Sequence, residues 1–367
     1  MTRRRTLIGY FLRHGGNLHY FAAIKPYLDH FLRVEGVENR VIVSCPFPEQ
    51  EASPEVAGYA HLFAADLRVD DCDVVLTPSF LRPEDRPGPR DPGTLVVQLF
   101  HGMSDKPFTY ERDFGDYALC LCAGQRQLDR LLAHERNRGI RWAMVGYPKF
   151  DRFPTVPPLF TDGRKTLIYC PTWRKGGISS VERFLDEPAA VAELSRRYNL
   201  IVKPHPNIFS PDRPHFDRSI VERLEMLERF AGVRLVRSGN VMPWFAQADL
   251  FIGDISAAGY EWLYFDRPMV FLNPRPAELH ATADPHGLTF LWRCGEVCDE
   301  VGRLGAAVEA ALADDRHGAE REAALHYSVH NPRDGRALER GVAAIQALLH
   351  AGAAGTGRAK ASEAQHA

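Results

Sequence analysis

Short apolar runs alternate with amphipathic stretches along most of the chain, and the alternation predicts two series of strand and helix units. In the first, strands over Thr6 to Phe11, Arg40 to Cys45, Val74 to Thr77, Thr94 to Phe100 and Ala118 to Ala123 are interleaved with helical patterns over Tyr20 to Leu32, Ser53 to Ala64 and Gln125 to His134. In the second, strands over Thr166 to Cys170, Asn199 to Lys203, Val233 to Val236, Leu250 to Gly253 and Met269 to Leu272 alternate with helices over Glu187 to Tyr198, Arg218 to Ala231, Val241 to Ala246 and Ala258 to Phe265. Helical patterns from Cys298 to Asp314 and from Arg336 to His350 follow. Continuous apolar strands of this length belong to parallel sheets covered on both faces, and their alternation with helices implies βαβ units.

The chain therefore reads as an α/β protein with two doubly wound, Rossmann-like domains. Residues 1–153 form the first and 166–330 the second. The stretch "MVGYPKFDRFPTVPPLFTDGRK", dense in proline and glycine, places a linker over 154–165. Residues 331–350 are expected to form a helix crossing back to the first domain, and 351–367, small and polar, to be a disordered tail. Two sheets joined in this way imply a cleft lined by the loops that follow the strands.

Composition narrows the function. With 45 Lys and Arg against 47 Asp and Glu in 367 residues, the formal charge is -2, which leaves no global field to hold nucleic acid. No basic stripe interleaved with aromatics offsets this, so nucleic-acid binding is excluded as the working reading. Seven cysteines without a paired CxxC or a zinc-type spacing read as reduced, packed thiols of a cytoplasmic protein. No segment reaches the ~18–20 apolar residues of a membrane span. Arg3 to Arg5 with Tyr10 offer a weak handle for peripheral contact with the inner membrane face.

The candidate chemistry lies just after the strands. "VVQLFHGMSDKPF" runs a buried strand into His101 and Gly102, where the glycine would allow a sharp turn and the histidine either serves structure or faces a ligand. "PTWRKGG" supplies the Thr172 hydroxyl and the Arg174 and Lys175 cations, as a phosphate site or a solvated basic turn. "VKPHP" holds His205 between two prolines, with Lys203 on the same side of an extended chain. After Leu250 to Gly253 come Asp254, Ser256 and Ala257 at a helix start, where capping and phosphate binding are compatible, and Glu261 is placed to accept from ribose hydroxyls. "RHGGN" after the first strand puts Arg13, His14, Gly15, Gly16 and Asn17 on the acceptor side, although a simple turn explains the glycines equally well.

Taken in order, "QLFHG", "VGYPKFD", "YCPTWR", "VKPHP" and "GDISAAGYEWLYFDRP" resemble the CDP-glycerol:poly(glycerophosphate) glycerophosphotransferases, over about Gln98 to Asn273. The resemblance implies a GT-B-like fold whose second domain binds the nucleotide. His101 carries over that family's proposed catalytic base and His205 its second essential histidine, near the donor phosphates. Asp254 and Ser256 carry over the aspartate and first serine of its "DYSS" stretch. Glu261 replaces a later aspartate, while Ile255 and Ala257 depart from the tyrosine and second serine.

The implied reaction moves a phosphopolyol, glycerol phosphate first, from a CDP-activated donor to a hydroxyl of a saccharide or lipid-linked polymer acceptor, releasing CMP. Thr172, Arg174, Lys203, Asp254, Ser256, Ala257 and Glu261 would bind the donor. No Asp-x-Asp pair lies in a plausible donor loop, so no metal is required, although Mg2+ is allowed as an aid to phosphate binding. A glycosyltransferase using a nucleotide sugar in capsule or lipopolysaccharide synthesis shares these features, and a non-catalytic nucleotide-binding assembly protein stands behind it. A nucleotide-sugar 2-epimerase shares the architecture but needs sugar-side carboxylates that the sequence does not offer.

Overall fold

A computed structural model describes residues 5–13, 18–44, 54–86, 93–211, 213 and 215–363. Among them are twelve strands in two wholly parallel sheets, each with its own core. The first sheet holds β1 (Thr6–Leu12), β2 (Val37–Val43), β3 (Val74–Thr77), β4 (Leu95–Gln98), β5 (Leu119–Cys122) and β6 (Trp142–Met144), in the order β2-β1-β3-β4-β5-β6. The second holds β7 (Thr166–Cys170), β8 (Asn199–Val202), β9 (Val233–Leu235), β10 (Leu250–Gly253), β11 (Met269–Leu272) and β12 (Glu296–Cys298), in the order β12-β11-β10-β7-β8-β9. Two Rossmann-like units result. The second has the strand order of dinucleotide-binding folds, with its reversal point between β7 and β10.

The chain divides into these units in an interleaved way. One comprises residues 1–101, 112–151 and 329–367, and the other comprises 102–111 and 152–328. In the first unit the helix Ala337–Glu363 lays Val342, Ile345 and Leu348 into the core formed by Ile8, Tyr10, Val74 and Leu121. That helix is seated on "VGYPKFD". Asp151 accepts the amides of Ala337 (3.0 Å) and Leu338 (2.7 Å), and Arg340 Nε donates to the Val145 carbonyl at 2.8 Å. Gly146 takes φ +89°, and a Cβ there would lie 2.7 Å from the His330 carbonyl oxygen.

Several elements differ from the sequence pattern. β2 begins at Val37 rather than Arg40 because its polar Asn39 is satisfied inside the unit, accepting from Tyr10 Oη at 3.0 Å and donating to the Phe31 carbonyl at 3.2 Å. β12 occupies residues assigned to loop and to the start of a helix at Cys298. It is a three-residue edge strand, and the helix begins only at Leu304. β6, also absent from the sequence pattern, is equally short, with Trp142 exposed and Ala143 and Met144 half-buried. The helices Val181–Asp186 and Gly318–Ser328 were not anticipated. Among the described residues six free cysteines are all buried, and no helix is long and apolar enough to cross a membrane.

Candidate active site

The reversal point of the second sheet gathers three of the loops singled out in the sequence. β7, β8 and β10 are neighbours, and each is fully buried, which fixes where its following residues emerge. The loops are also bonded to one another. The His205 amide donates to the Pro171 carbonyl at 3.2 Å, and the Thr172 amide donates to Asp254 Oδ1 at 2.9 Å.

Asp254 is the brace of this arrangement. Its buried carboxylate accepts the Thr172 amide, the Ser180 amide (2.8 Å) and the Ser180 hydroxyl (3.1 Å). Burial pushes its pKa up to about 6, against the pull of these hydrogen bonds and of the Lys106 charge. The carboxylate thus faces loop amides of its own unit. Thr172, fully buried, accepts Lys106 Nζ on its Oγ1 at 2.8 Å and the Ser179 hydroxyl on its carbonyl at 2.7 Å. Gly176 and Gly177 of the same loop both take positive φ, 77° and 64°.

His205 directs its ring by a local bond. Its Nδ1 accepts the Asn207 amide at 3.1 Å, so the neutral imidazole carries its proton on Nε2 and presents a donor there. Trp173 lies beside it, with ring centroids 6.1 Å apart. Lys203 is buried, and its Nζ donates to the Ser238 carbonyl at 3.1 Å. Arg174 is turned toward carboxylates. Its guanidinium pairs with Glu182 and with Asp217 (3.2 Å) and donates to the His215 carbonyl. Ser256 caps the six-residue helix Ala257–Trp262 by accepting the Ala258 amide at 3.3 Å. Ile255 and Glu261 are buried, and Ala257 is half-buried.

In the first unit, His101 follows β4 through a strained turn. Phe100, not Gly102, takes the left-handed conformation (φ 55°), held by its amide donating to Gln98 Oε1 at 2.8 Å. The turn carries the imidazole to Pro78, whose carbonyl lies 2.9 Å from Nδ1. A carbonyl only accepts, so Nδ1 bears the proton and Nε2 keeps its lone pair. Tyr20 packs edge-on against the ring at 4.5 Å between centroids, and Tyr147 Oη donates to the His101 carbonyl at 3.4 Å. The two histidines therefore hold opposite tautomers, one offering a base and the other a donor.

Arg13 is buried and tied to Glu84 (3.0 Å) and Asp85 (2.7 Å) within the first unit. His14, Gly15, Gly16 and Asn17 lie outside the described residues, as do Arg3 and Arg4 and the side chain of Lys175. Among the described residues no group of three or more His, Cys, Asp or Glu is placed to hold a metal. Sequence reasoning missed Lys106, Asp105 and Ser180. Asp105 is buried and accepts Tyr260 Oη at 2.6 Å, which anchors the loop bearing Lys106 to the second unit.

Two Rossmann-like units, one with nucleotide-type strand order and chemistry at its reversal point, define a GT-B-like protein. A family model described as CDP-Glycerol:Poly(glycerophosphate) glycerophosphotransferase matches residues 144–347, more than half of the chain, and the chain belongs to that transferase family. Among solved structures, the wall teichoic acid polymerase TagF is similar with a TM-score of 0.60 at 14% identity, over 95% of this chain and 88% of its own. A S. aureus MnaA-UDP co-structure is similar at 0.58 and 12%, over 94% and 97%. A putative UDP-N-acetylglucosamine 2-epimerase from Listeria monocytogenes gives 0.58 and 12%, over 94% and 96%. At such identities these likenesses carry the fold. No curated protein matches the sequence.

Proposed function

We propose that the chain transfers a phosphopolyol, glycerol phosphate foremost, from a CDP-activated donor to a hydroxyl of a saccharide or lipid-linked polymer. The acceptor oxygen attacks the donor's β-phosphorus, the bond from that phosphorus to the bridging oxygen breaks, and CMP leaves with the oxygen. The acceptor proton passes to His101 Nε2. The observation that carries this reading is the bond from His101 Nδ1 to the Pro78 carbonyl, because it leaves a lone pair on the ring nitrogen that a general base needs. His205 donates through Nε2–H to phosphate oxygens, and the Lys203 ammonium, held by the Ser238 carbonyl, adds positive charge. Asp254 and Ser256 hold the loops in register, and Arg174 serves its own carboxylate partners.

Family membership and the reversal-point loops support a cytidine diphosphate donor, and a TagF structure is described with a CDPG soak. The reading needs no obligatory metal, and a lipid-linked acceptor would place the enzyme at the inner face of the cytoplasmic membrane. Thermal unfolding against CMP, CDP, CDP-glycerol, CDP-ribitol, UDP-sugars and GDP-sugars tests the donor, because a ligand that binds only the folded state raises its apparent stability. Stabilisation by CDP-glycerol or CDP-ribitol above the others is expected. A preference for UDP- or GDP-sugars would move the reaction to glycosyl transfer.

A further inference from the structure

We propose that Thr77 and Gln98, a cross-strand pair at the carboxyl ends of β3 and β4, are positioning residues that hold His101 in the tautomer protonated on Nδ1. The inference rests on the transfer reading above for the use made of that tautomer, and adds to it the two side chains that set it. Thr77 and Gln98 are register partners in the first sheet, and both are fully buried. Polar side chains taken out of water cost stability unless they are hydrogen-bonded, and these two bond the turns on either side of the imidazole.

Thr77 acts on the acceptor of the histidine bond. The carbonyl that faces Nδ1 belongs to Pro78, and the N–H of the same peptide unit belongs to Ser79. A planar trans peptide points the two in opposite directions, so fixing one aims the other. The Ser79 amide donates to Thr77 Oγ1 at 3.0 Å, while the Pro78 carbonyl lies 2.9 Å from His101 Nδ1. Thr77 Oγ1 is fixed in its turn, because its own proton goes to the Phe11 carbonyl (2.9 Å) and, less closely, to the Ser79 carbonyl (3.2 Å). Gln98 acts on the following peptide and on the turn of the histidine itself. Its Nε2 donates to the Ser79 carbonyl at 3.1 Å, and its Oε1 accepts the Phe100 amide at 2.8 Å, one residue before His101. One carboxamide thus ties the turn that carries the acceptor to the turn that carries the ring. A carboxylate would have no proton for the Ser79 carbonyl, and a hydrocarbon chain would bond neither turn. With the Pro78–Ser79 peptide rotated away, Nδ1 would lose the acceptor that keeps its proton there, and the Nε2-protonated ring, which is no base at that nitrogen, would become accessible.

The test is nitrogen NMR of the imidazoles in the histidine-labelled full chain and its Thr77→Val, Thr77→Ser and Gln98→Met variants, well above the ordinary histidine pKa of ~6.5 so that the ring is neutral. The His101 signals are identified by their loss in His101→Ala, and the same proteins are assayed for transfer. The wild type is expected to carry the His101 proton on Nδ1. Thr77→Val and Gln98→Met are expected to admit the Nε2-protonated form and to lower kcat by about tenfold, with KM within about threefold. Thr77→Ser keeps the oxygen and should keep both the tautomer and most of the turnover. Should Gln98→Met not fold, as judged by its unfolding curve, Thr77→Val, which keeps the shape of the side chain, carries the comparison. A wild type protonated on Nε2, or variants that keep the proton on Nδ1 whatever their turnover, overturns the assignment. A tautomer that shifts as expected while His101→Ala retains full turnover removes the general base from the transfer reading and leaves the positioning pair standing.

Discussion

His101 Nδ1 stands 2.9 Å from the carbonyl oxygen of Pro78, and that bond decides which nitrogen of the ring is basic. The left-handed Phe100 just before it is buried and held by Gln98, so the ring's direction is set by core packing rather than by a loose loop. Backbone strain of this kind, costing about 1–3 kcal/mol, persists where the surroundings over-determine it.

Replacing His101 by alanine should therefore lower kcat by about a hundredfold or more while leaving nucleotide affinity within about threefold. Steady-state transfer assays paired with calorimetry make the comparison. Full turnover in His101→Ala would remove the general base from this residue.

Asp254 makes stability depend on pH. Its folded pKa, pushed up to about 6 mainly by burial, exceeds its ordinary value of 3.8, so the folded state holds the proton more tightly than the unfolded chain. The contribution is fully present below about 3.8 and is lost as pH rises through about 6, on the order of 3 kcal/mol across that window. Urea unfolding from pH 4 to pH 7 should show Asp254→Asn gaining on the wild type as pH rises. Parallel curves for the two proteins would contradict this.

Asp151 closes the helix Ala337–Glu363 onto the first unit by accepting two of its first amides. Asp151→Ala should cost about 0.5–2 kcal/mol, read as a lower unfolding midpoint. Burial raises the Asp151 pKa, and the Leu338 and Ala337 amides oppose that rise. Asp151→Asn keeps an oxygen for one amide and should recover part of the loss. An unchanged midpoint in Asp151→Ala would mean that the helix is held by its apolar face alone.

Gly146 is required twice over, by its φ of +89° and by the 2.7 Å that would separate a Cβ from the His330 carbonyl oxygen. Gly146→Ala is expected to destabilise the chain by more than about 1 kcal/mol. Tyr147 is the next residue and bonds the His101 carbonyl, so the same variant should also lower turnover. Wild-type stability in Gly146→Ala would show that this turn relaxes without cost.

The sequence was most informative where burial is two-sided. The predicted strands Val74 to Thr77, Thr166 to Cys170, Leu250 to Gly253 and Met269 to Leu272 have the same bounds in the structure, where every residue in them is covered, the end residues Thr77 and Thr166 included. β6 and β12 are edge strands of three residues with exposed positions, too short to register as a period. The site divides in the same way. The placing of Thr172 just after β7 and of His205 just after β8 could be read because a loop's place after a strand is a local property. Lys106 could not be tied to Thr172, 66 residues away, nor Asp105 to Tyr260, 155 away, since nothing local encodes such pairings. For the same reason the charge of Arg174 was visible in the sequence, but its carboxylate partners Glu182 and Asp217 were not.

The interleaving of the two units has a practical side. The backbone passes from one unit to the other after residues 101, 111, 151 and 328. A gene split once between 152 and 165 would give a first fragment without its closing helix and a second without the lysine-bearing loop. Neither half would be a whole unit, so exchanging either unit with that of a relative calls for grafting at least two separate segments rather than swapping one half.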